Sequence, residues 1–394
     1  MQFATQQASG EERNGAMDGR WSQLAVWVGL IASAVLLAGC WMLAPPARGA
    51  VRTARLLPAF FVGLPVEPEA WGRDAPLVSV EPLVTSGEYA NLHIYRPPSG
   101  RHAAVIVSLG VNPAPPDDPR VVRLMGGLAR TGLVVALVQS SALDNDLITT
   151  EAPALLVQAF ERLAGRAEVK AERIGFVGFS VGAGLVSVAA ADARIREQVA
   201  LVEAFGGYFR VEDLVADVTT SSANDGDRVK PWEPDPLSRS VVTKNLVAAV
   251  PDEWQRQALA AALAGDPGAP ARLGGHARAV YDVLTNTDRE RAAALYARLP
   301  AFQREALASV SPATHVGQLV APVYLMHDRG DHLIPYTESR RFNVALALAG
   351  RPPYHSEFDI FEHVDPTRGG NPLVAARDMV KLFMHIRAVL SRLQ

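Results

Sequence analysis

From about residue 77 the sequence alternates apolar runs with amphipathic stretches. Leu77–Thr85 and Tyr89–Arg96 read as strands joined by Ser86-Gly87, a hairpin signal. Ala103–Leu109 is apolar except at Ser108, as expected of a strand buried on both faces. Arg120–Arg130 reads as a helix ended by Gly132, Leu133–Val138 as a strand, and Ala152–Ala164 as a helix ended by Gly165. Arg173–Phe179 and Val199–Phe205 read as strands on either side of a helix, Val181–Ala191. Strands at Ala321–His327 and Tyr354–Phe361 and a helix at Pro372–Leu393 complete the series. Repeated strand–helix units predict the α/β class: a mostly parallel sheet of about eight strands, flanked by helices.

One interval breaks the rhythm. Residues 209–310 read as helices and loops, with a helical stretch at Val250–Ala264. A Thr287-x-x-Glu290 capping box precedes a helix ending near Leu299. The interval separates two sheet strands, so it is expected to form a helical cap over the sheet edge; a lateral subdomain away from any site is the alternative. No internal repeat or low-complexity segment stands out.

The N-terminal stretch differs. Trp21 to Ala44 carries no charged residue, and a helix of roughly 20 apolar residues crosses the hydrocarbon of a bilayer. Trp21, Trp27 and Trp41 suit an interfacial belt, and Pro45-Pro46 is expected to end the span. This predicts a transmembrane or signal-anchor helix. A lipoprotein-type signal competes: Leu37-Ala38-Gly39-Cys40 resembles a lipidation box, and starting at Met17 would give a more ordinary signal length. Against cleavage, Glu11, Glu12 and Asp18 precede the apolar run, and Trp41-Met42-Leu43 continue it. Orientation stays open, with Arg13 and Arg20 on one side and Arg48, Arg52 and Arg55 on the other. The expected organisation is a tail (1–20), the membrane or signal segment (21–44), a linker (45–76), an α/β core (77–208), the insertion (209–310) and the rest of the core (311–394).

Composition narrows the function. Of 394 residues, 49% are hydrophobic and 20% charged, enough for a large core, and the net charge of -3 gives nucleic acid no basic face to bind. A single cysteine excludes an internal disulfide and any cysteine-rich metal site. No metal-ligand spacing or phosphate-cradling loop is evident, so no cofactor is expected.

The chemistry begins at Gly178-Phe179-Ser180-Val181-Gly182, where a buried strand should turn into a helix. A serine at the tip of such a turn is expected at positive φ, with glycines on both sides removing side chains that would collide. The helix starting at Val181 aims free N–H groups at the hydroxyl. In a parallel sheet, sites lie beyond the C-terminal strand ends. Asp331 follows the Ala321–His327 strand within His327-Asp-Arg-Gly-Asp-His-Leu-Ile-Pro335. Next come His363, after the Tyr354–Phe361 strand, and Gly110-Val111-Asn112, after the Ala103–Leu109 strand. A serine hydroxyl needs a base to take its proton, a histidine suits that task, and a carboxylate orients the imidazole. The N–H groups of Val181 and Val111 are the expected oxyanion donors.

These motifs together resemble the α/β-hydrolase superfamily, closest to dienelactone hydrolase-like enzymes and related esterases, over roughly Leu77 to the C-terminus apart from the insertion. The resemblance implies Ser180 as nucleophile, Asp331 as acid and His363 as base. It implies a serine hydrolase acting on a small-molecule carboxylic ester, with a peptidase, a thioesterase or a non-catalytic membrane-anchored binding protein as alternatives. Two departures matter. Leu109-Gly110 stands where many esterases have His-Gly, and His327-Asp328 stands where the family has His-Gly, which makes Asp328 a rival acid. Glu203 is a further rival. His355, at the start of its strand, and His327, at a strand end, are expected to be structural, and His332 lies too near Asp331 in sequence to face it. Asp144 and Asp146 are expected either to line the pocket or to cap a helix.

Overall fold

The computed structural model describes residues 45–60, 70–85, 87–226, 228–361, 363 and 372–393. Eight strands form one sheet: β1 (Leu77–Val84), β2 (Tyr89–Arg96), β3 (His102–Ser108), β4 (Val134–Ser140), β5 (Val169–Phe179), β6 (Val199–Phe205), β9 (Val323–Asp328) and β10 (Tyr354–Phe358). Their order is β1-β2-β4-β3-β5-β6-β9-β10. β2 is antiparallel to both of its neighbours, and every other pairing is parallel. A short hairpin, β7 (Ser222–Asp225) with β8 (Arg228–Pro231), lies in the insertion and has no clear signal in the sequence pattern.

The helices are α1 (Pro45–Leu56), α2 (Pro119–Arg130), α3 (Ala152–Ala164), α4 (Val181–Ala189), α5 (Val211–Thr220), α6 (Pro236–Ala248), α7 (Glu253–Leu263), α8 (Gly275–Leu284), α9 (Arg289–Tyr296), α10 (Ala301–Ser309), α11 (Pro312–His315), α12 (Thr337–Leu348) and α13 (Pro372–Arg392). Alternation along the strands fills two cores. Ala104 and Ile106 of β3 join Leu155 and Phe160 of α3 and Leu185 of α4 on one face. Ala103, Val105 and Val107 join Met125 of α2 and Leu382 of α13 on the other. Both faces of the central strands are therefore dry, which is why their sequence reads as continuous apolar runs. A third core, with Val218, Leu246, Leu259 and Val280, belongs to the insertion. This strand order, with helices on both faces, fits the α/β-hydrolase fold.

Several boundaries differ from expectation, each for a local reason. β5 starts at Val169 rather than Arg173; Val169 pairs with His102, and the polar residues after it hid the strand. β10 stops at Phe358 rather than Phe361. The Asp359 N–H donates to the Asp378 carboxylate (2.7 Å) and the Phe361 N–H to Asp328 (2.8 Å), so these donors leave the ladder. Helix α9 is capped by Asp288, which accepts from the Glu290 N–H, rather than by Thr287, and it ends at Tyr296. The expected linker, 45–76, contains α1 and a 3-10 turn at Leu57–Phe60, with Leu56 and Ala59 buried. Pro45 and Pro46 open a helix, a position where a missing N–H is harmless. The apolar segment 21–44 and Cys40 lie outside the described residues. Among the described residues no helix is long and apolar enough to cross a membrane.

Candidate active site

Strand register builds the site. Ser108 of β3 pairs with Gly178 of β5, Phe179 with Phe205 of β6, Phe205 with Met326 of β9, and Asp328 with Phe358 of β10. Five strands therefore end along one rim, and four of them lead into candidate site residues. These residues are Val111, Ser180, Asp331 and His363.

Ser180 adopts φ 54°, ψ −132°, a conformation that favours glycine, and its N–H donates to the Phe205 carbonyl at 2.8 Å. The flanking glycines make the turn sterically feasible. A Cβ on Gly182 would lie 2.4 Å from the Ser108 carbonyl oxygen, and one on Gly178 would lie 2.4 Å from the Ala183 Cα. Gly110, at φ +96°, presses against the same turn, so a Cβ there would sit 3.1 Å from the Val181 nitrogen. The loop bearing Val111 and the start of α4 are thus in contact. Neither the Val111 nor the Val181 N–H donates to another group among the described residues.

His363 is buried and itself has a positive φ of 58°. Its Nδ1 lies 2.6 Å from Asp331 Oδ2. Since a carboxylate only accepts, Nδ1 carries the proton shared between the two groups. The ring's Nε2 is buried and has no hydrogen-bond partner among the described residues. His363 and Ser180 line the same cavity.

Asp331 is anchored from behind by the N–H groups of Leu333 (2.7 Å) and Ile334 (3.0 Å), both on Oδ1. Burial alone pushes its pKa up. The charges and hydrogen bonds of His363 and His327 outweigh burial and hold the carboxyl well below the usual carboxylate range. It is therefore ionised throughout the neutral and mildly acidic range.

The rivals have other partners. Asp328 accepts from the N–H groups of Gly330 (2.8 Å) and Phe361 (2.8 Å), which shapes the turn and ties down the segment leading to His363. Glu203 lies 2.9 Å from His385 Nε2, whose Nδ1 faces Ser356 Oγ at 2.9 Å, a buried network on the α13 side of the sheet. His355 contacts Ser339 Oγ, and His332 Nδ1 donates to the Glu233 carbonyl (2.8 Å). Asp144 accepts from Gln139 (3.0 Å), Asp146 stands 3.6 Å from Lys244, and neither lines the cavity. His327 is more than strand-end packing: it is fully buried, with Nε2 3.2 Å from Asp331 Oδ2. Its spacing of four residues from Asp331 was visible in the sequence, but nothing marked it as a partner. Among the described residues no group of three or more His, Cys, Asp or Glu is placed to hold a metal ion.

The cavity, about 720 Å³, has the strand rim as its floor and one face each of α5, α6 and α10 as its walls. Ala59 and Phe60 close another side. Residues from the insertion and Ser180 thus line one cavity.

No protein-family model matches the chain, and no curated protein is similar to it in sequence. Solved structures do share similarity. An acylaminoacyl peptidase is 14% identical, with a TM-score of 0.47, over 79% of this chain and 41% of that one. The acylaminoacyl peptidase of Pyrococcus horikoshii is 13% identical, with a TM-score of 0.48, over 80% and 43%. A mutant form of the esterase Est22 is 14% identical, with a TM-score of 0.45, over 82% and 81%. The chain thus spans about two fifths of the length of the two peptidases.

Proposed function

We propose that the protein is a serine hydrolase that cleaves carboxylic esters through an acyl-enzyme. The observation that carries this reading is the setting of the His363 ring. Nε2 is unpartnered on the wall of a cavity shared with Ser180, while Nδ1 is held by an ionised, backbone-anchored carboxylate. In this reading His363 takes the Ser180 proton as the hydroxyl attacks the carbonyl carbon. The N–H groups of Val111 and Val181 stabilise the oxyanion, a role worth about 2.7–4 kcal/mol per donor. Asp331 stabilises the imidazolium that forms. His363 then gives the proton to the leaving alcohol, and water attacks the acyl-enzyme by the reverse route. Ser180 at the tip of the turn meets bound substrate from the side where the α4 dipole is positive. Binding of the whole to a membrane through residues 21–44 is part of the proposal, with a small-molecule ester as substrate and no nucleic acid partner.

The test is fluorophosphonate labelling and p-nitrophenyl ester turnover by the full chain and by Ser180→Ala. Both activities should disappear in the variant. Undiminished labelling of Ser180→Ala would reject the assignment, and intact protein inert to every serine probe would favour a non-catalytic role. Parallel assay of an anilide and a thioester separates esterase from peptidase and thioesterase action. Membrane attachment is read by fractionating cells that express the full chain and a chain lacking residues 1–44; only the former should sediment with membranes.

A further inference from the structure

The polar side chains buried in the cavity wall are turned to structural use. Ser238 Oγ donates to the Leu333 carbonyl (2.7 Å), and Tyr208 donates its hydroxyl hydrogen to the Val310 carbonyl (2.7 Å). Asn245 accepts from the Ile148 N–H (2.8 Å) and donates to the Asp146 and Val241 carbonyls (2.8 Å each). Gln303 is held by the Leu246 carbonyl (3.3 Å) and His276 (2.6 Å). Among the described lining residues no Asp, Glu or Lys occurs. The guanidinium present, that of Arg120, is exposed at the rim and lies against Asp118 at 2.8–3.0 Å. Asn112 and Thr150 also line the cavity and are exposed; away from them, Ser180 and His363, the described interior presents mainly hydrocarbon.

We propose that the cavity selects esters whose acyl group is bulky, uncharged and apolar, such as a medium-length alkyl or aryl chain. A charged end deep inside it would lose its water and, among the described residues away from Arg120 at the rim, meet no charged lining side chain. Each buried methylene, by contrast, adds to the favourable transfer out of water. A volume of about 720 Å³ lies in the range that encloses ligands of some tens of atoms. The apolar lining continues to the mouth, where Phe302 of α10 is 54% exposed although it belongs to the wall. For turnover, the inference rests on the hydrolase reading; for fit, it does not.

The experiment has two arms. In the first, the full chain is assayed with p-nitrophenyl acetate, p-nitrophenyl octanoate and the mono-p-nitrophenyl ester of suberic acid, an eight-carbon chain ending in a carboxylate. The octanoate should exceed both others in kcat/KM by at least tenfold, and Ala306→Asp, a carboxylate on the α10 wall, should erase most of that advantage. Equal rates for octanoate and the carboxylate-ended ester would overturn the proposal whether or not the variant folds. The second arm needs no chemistry: thermal stabilisation of Ser180→Ala by 2-decanone is compared with that by suberate. Stabilisation by the ketone alone supports the fit, and stabilisation by neither or by both equally overturns it. Ketone binding in a protein that turns over no ester and resists labelling would uphold the cavity's preference and defeat the hydrolase reading.

Discussion

His327 Nε2 stands 3.2 Å from Asp331 Oδ2, the same oxygen that receives His363 Nδ1 at 2.6 Å. The Ile334 carbonyl also lies 2.9 Å from His327 Nε2, and since both neighbours only accept, this nitrogen carries the proton. Its N–H donates to the Ile334 carbonyl and stands beside the carboxylate proposed to orient the base. Removing a buried polar partner costs about 1–3 kcal/mol. His327→Leu should lower kcat by roughly tenfold or more with little change in KM, and His327→Gln, which keeps a donor, should recover much of it. Steady-state kinetics decides; a change confined to KM would assign His327 to the cavity instead.

Asp331 and Glu203 should separate by role. Asp331→Asn should reduce kcat by roughly 10⁴-fold, because the amide favours the wrong imidazole tautomer. Glu203→Gln should leave turnover within a few-fold of wild type while lowering stability by about 1–3 kcal/mol, since it weakens a buried contact with His385. Urea midpoints and ester kinetics on the two variants check this, and a large kcat loss in Glu203→Gln would reopen the question of the acid.

The serine at φ 54° should carry backbone strain that glycine would relieve. It caps α4 without a side-chain hydrogen bond, so no cap is lost on replacement. Ser180→Gly should abolish turnover and stabilise the fold by about 1 kcal/mol, the relief of strain exceeding glycine's greater freedom when unfolded. Calorimetry or urea unfolding measures it, and a less stable variant would show that the turn is not strained at this residue.

Acid should destabilise the protein through His355. Burial lowers its pKa to about 4, against about 6.5 for an exposed imidazole. Between these values the unfolded chain binds a proton that the folded one excludes. This contribution to stability is complete above pH 6.5 and is lost as pH falls towards 4, by an amount of order 2 kcal/mol. His355→Gln should flatten that part of the curve. Unfolding midpoints at pH 7 and pH 5 give the comparison; an unchanged slope would assign the acid sensitivity elsewhere.

Much of the sheet was legible because its strands are dry on both sides, and Ile106 or Phe176 cannot be mistaken for surface. The elbow was legible because only small residues fit at Gly178 and Gly182. What escaped the sequence depends on contacts between distant segments. The role of His327 exists only where Asp331 folds back on it, and the early end of β10 depends on Asp378, in a different helix. The β7–β8 hairpin, with strands of four residues, is too short and too polar to impose a pattern. The cavity's character was hidden for the same reason: Ser238 and Asn245 look hydrophilic in a list of residues, and only their bonds show which way they face.

Those inward-facing bonds bear on the solvent as well. Water inside the cavity meets few donors or acceptors beyond Ser180 and His363, so molecules there keep fewer hydrogen bonds than in bulk liquid. Such loosely held water is easily displaced by an apolar guest, and its release favours entry. In the proposed reaction, arrival of a greasy substrate would dry the chamber around the carbonyl and strengthen the attraction between an oxyanion and the N–H groups of Val111 and Val181.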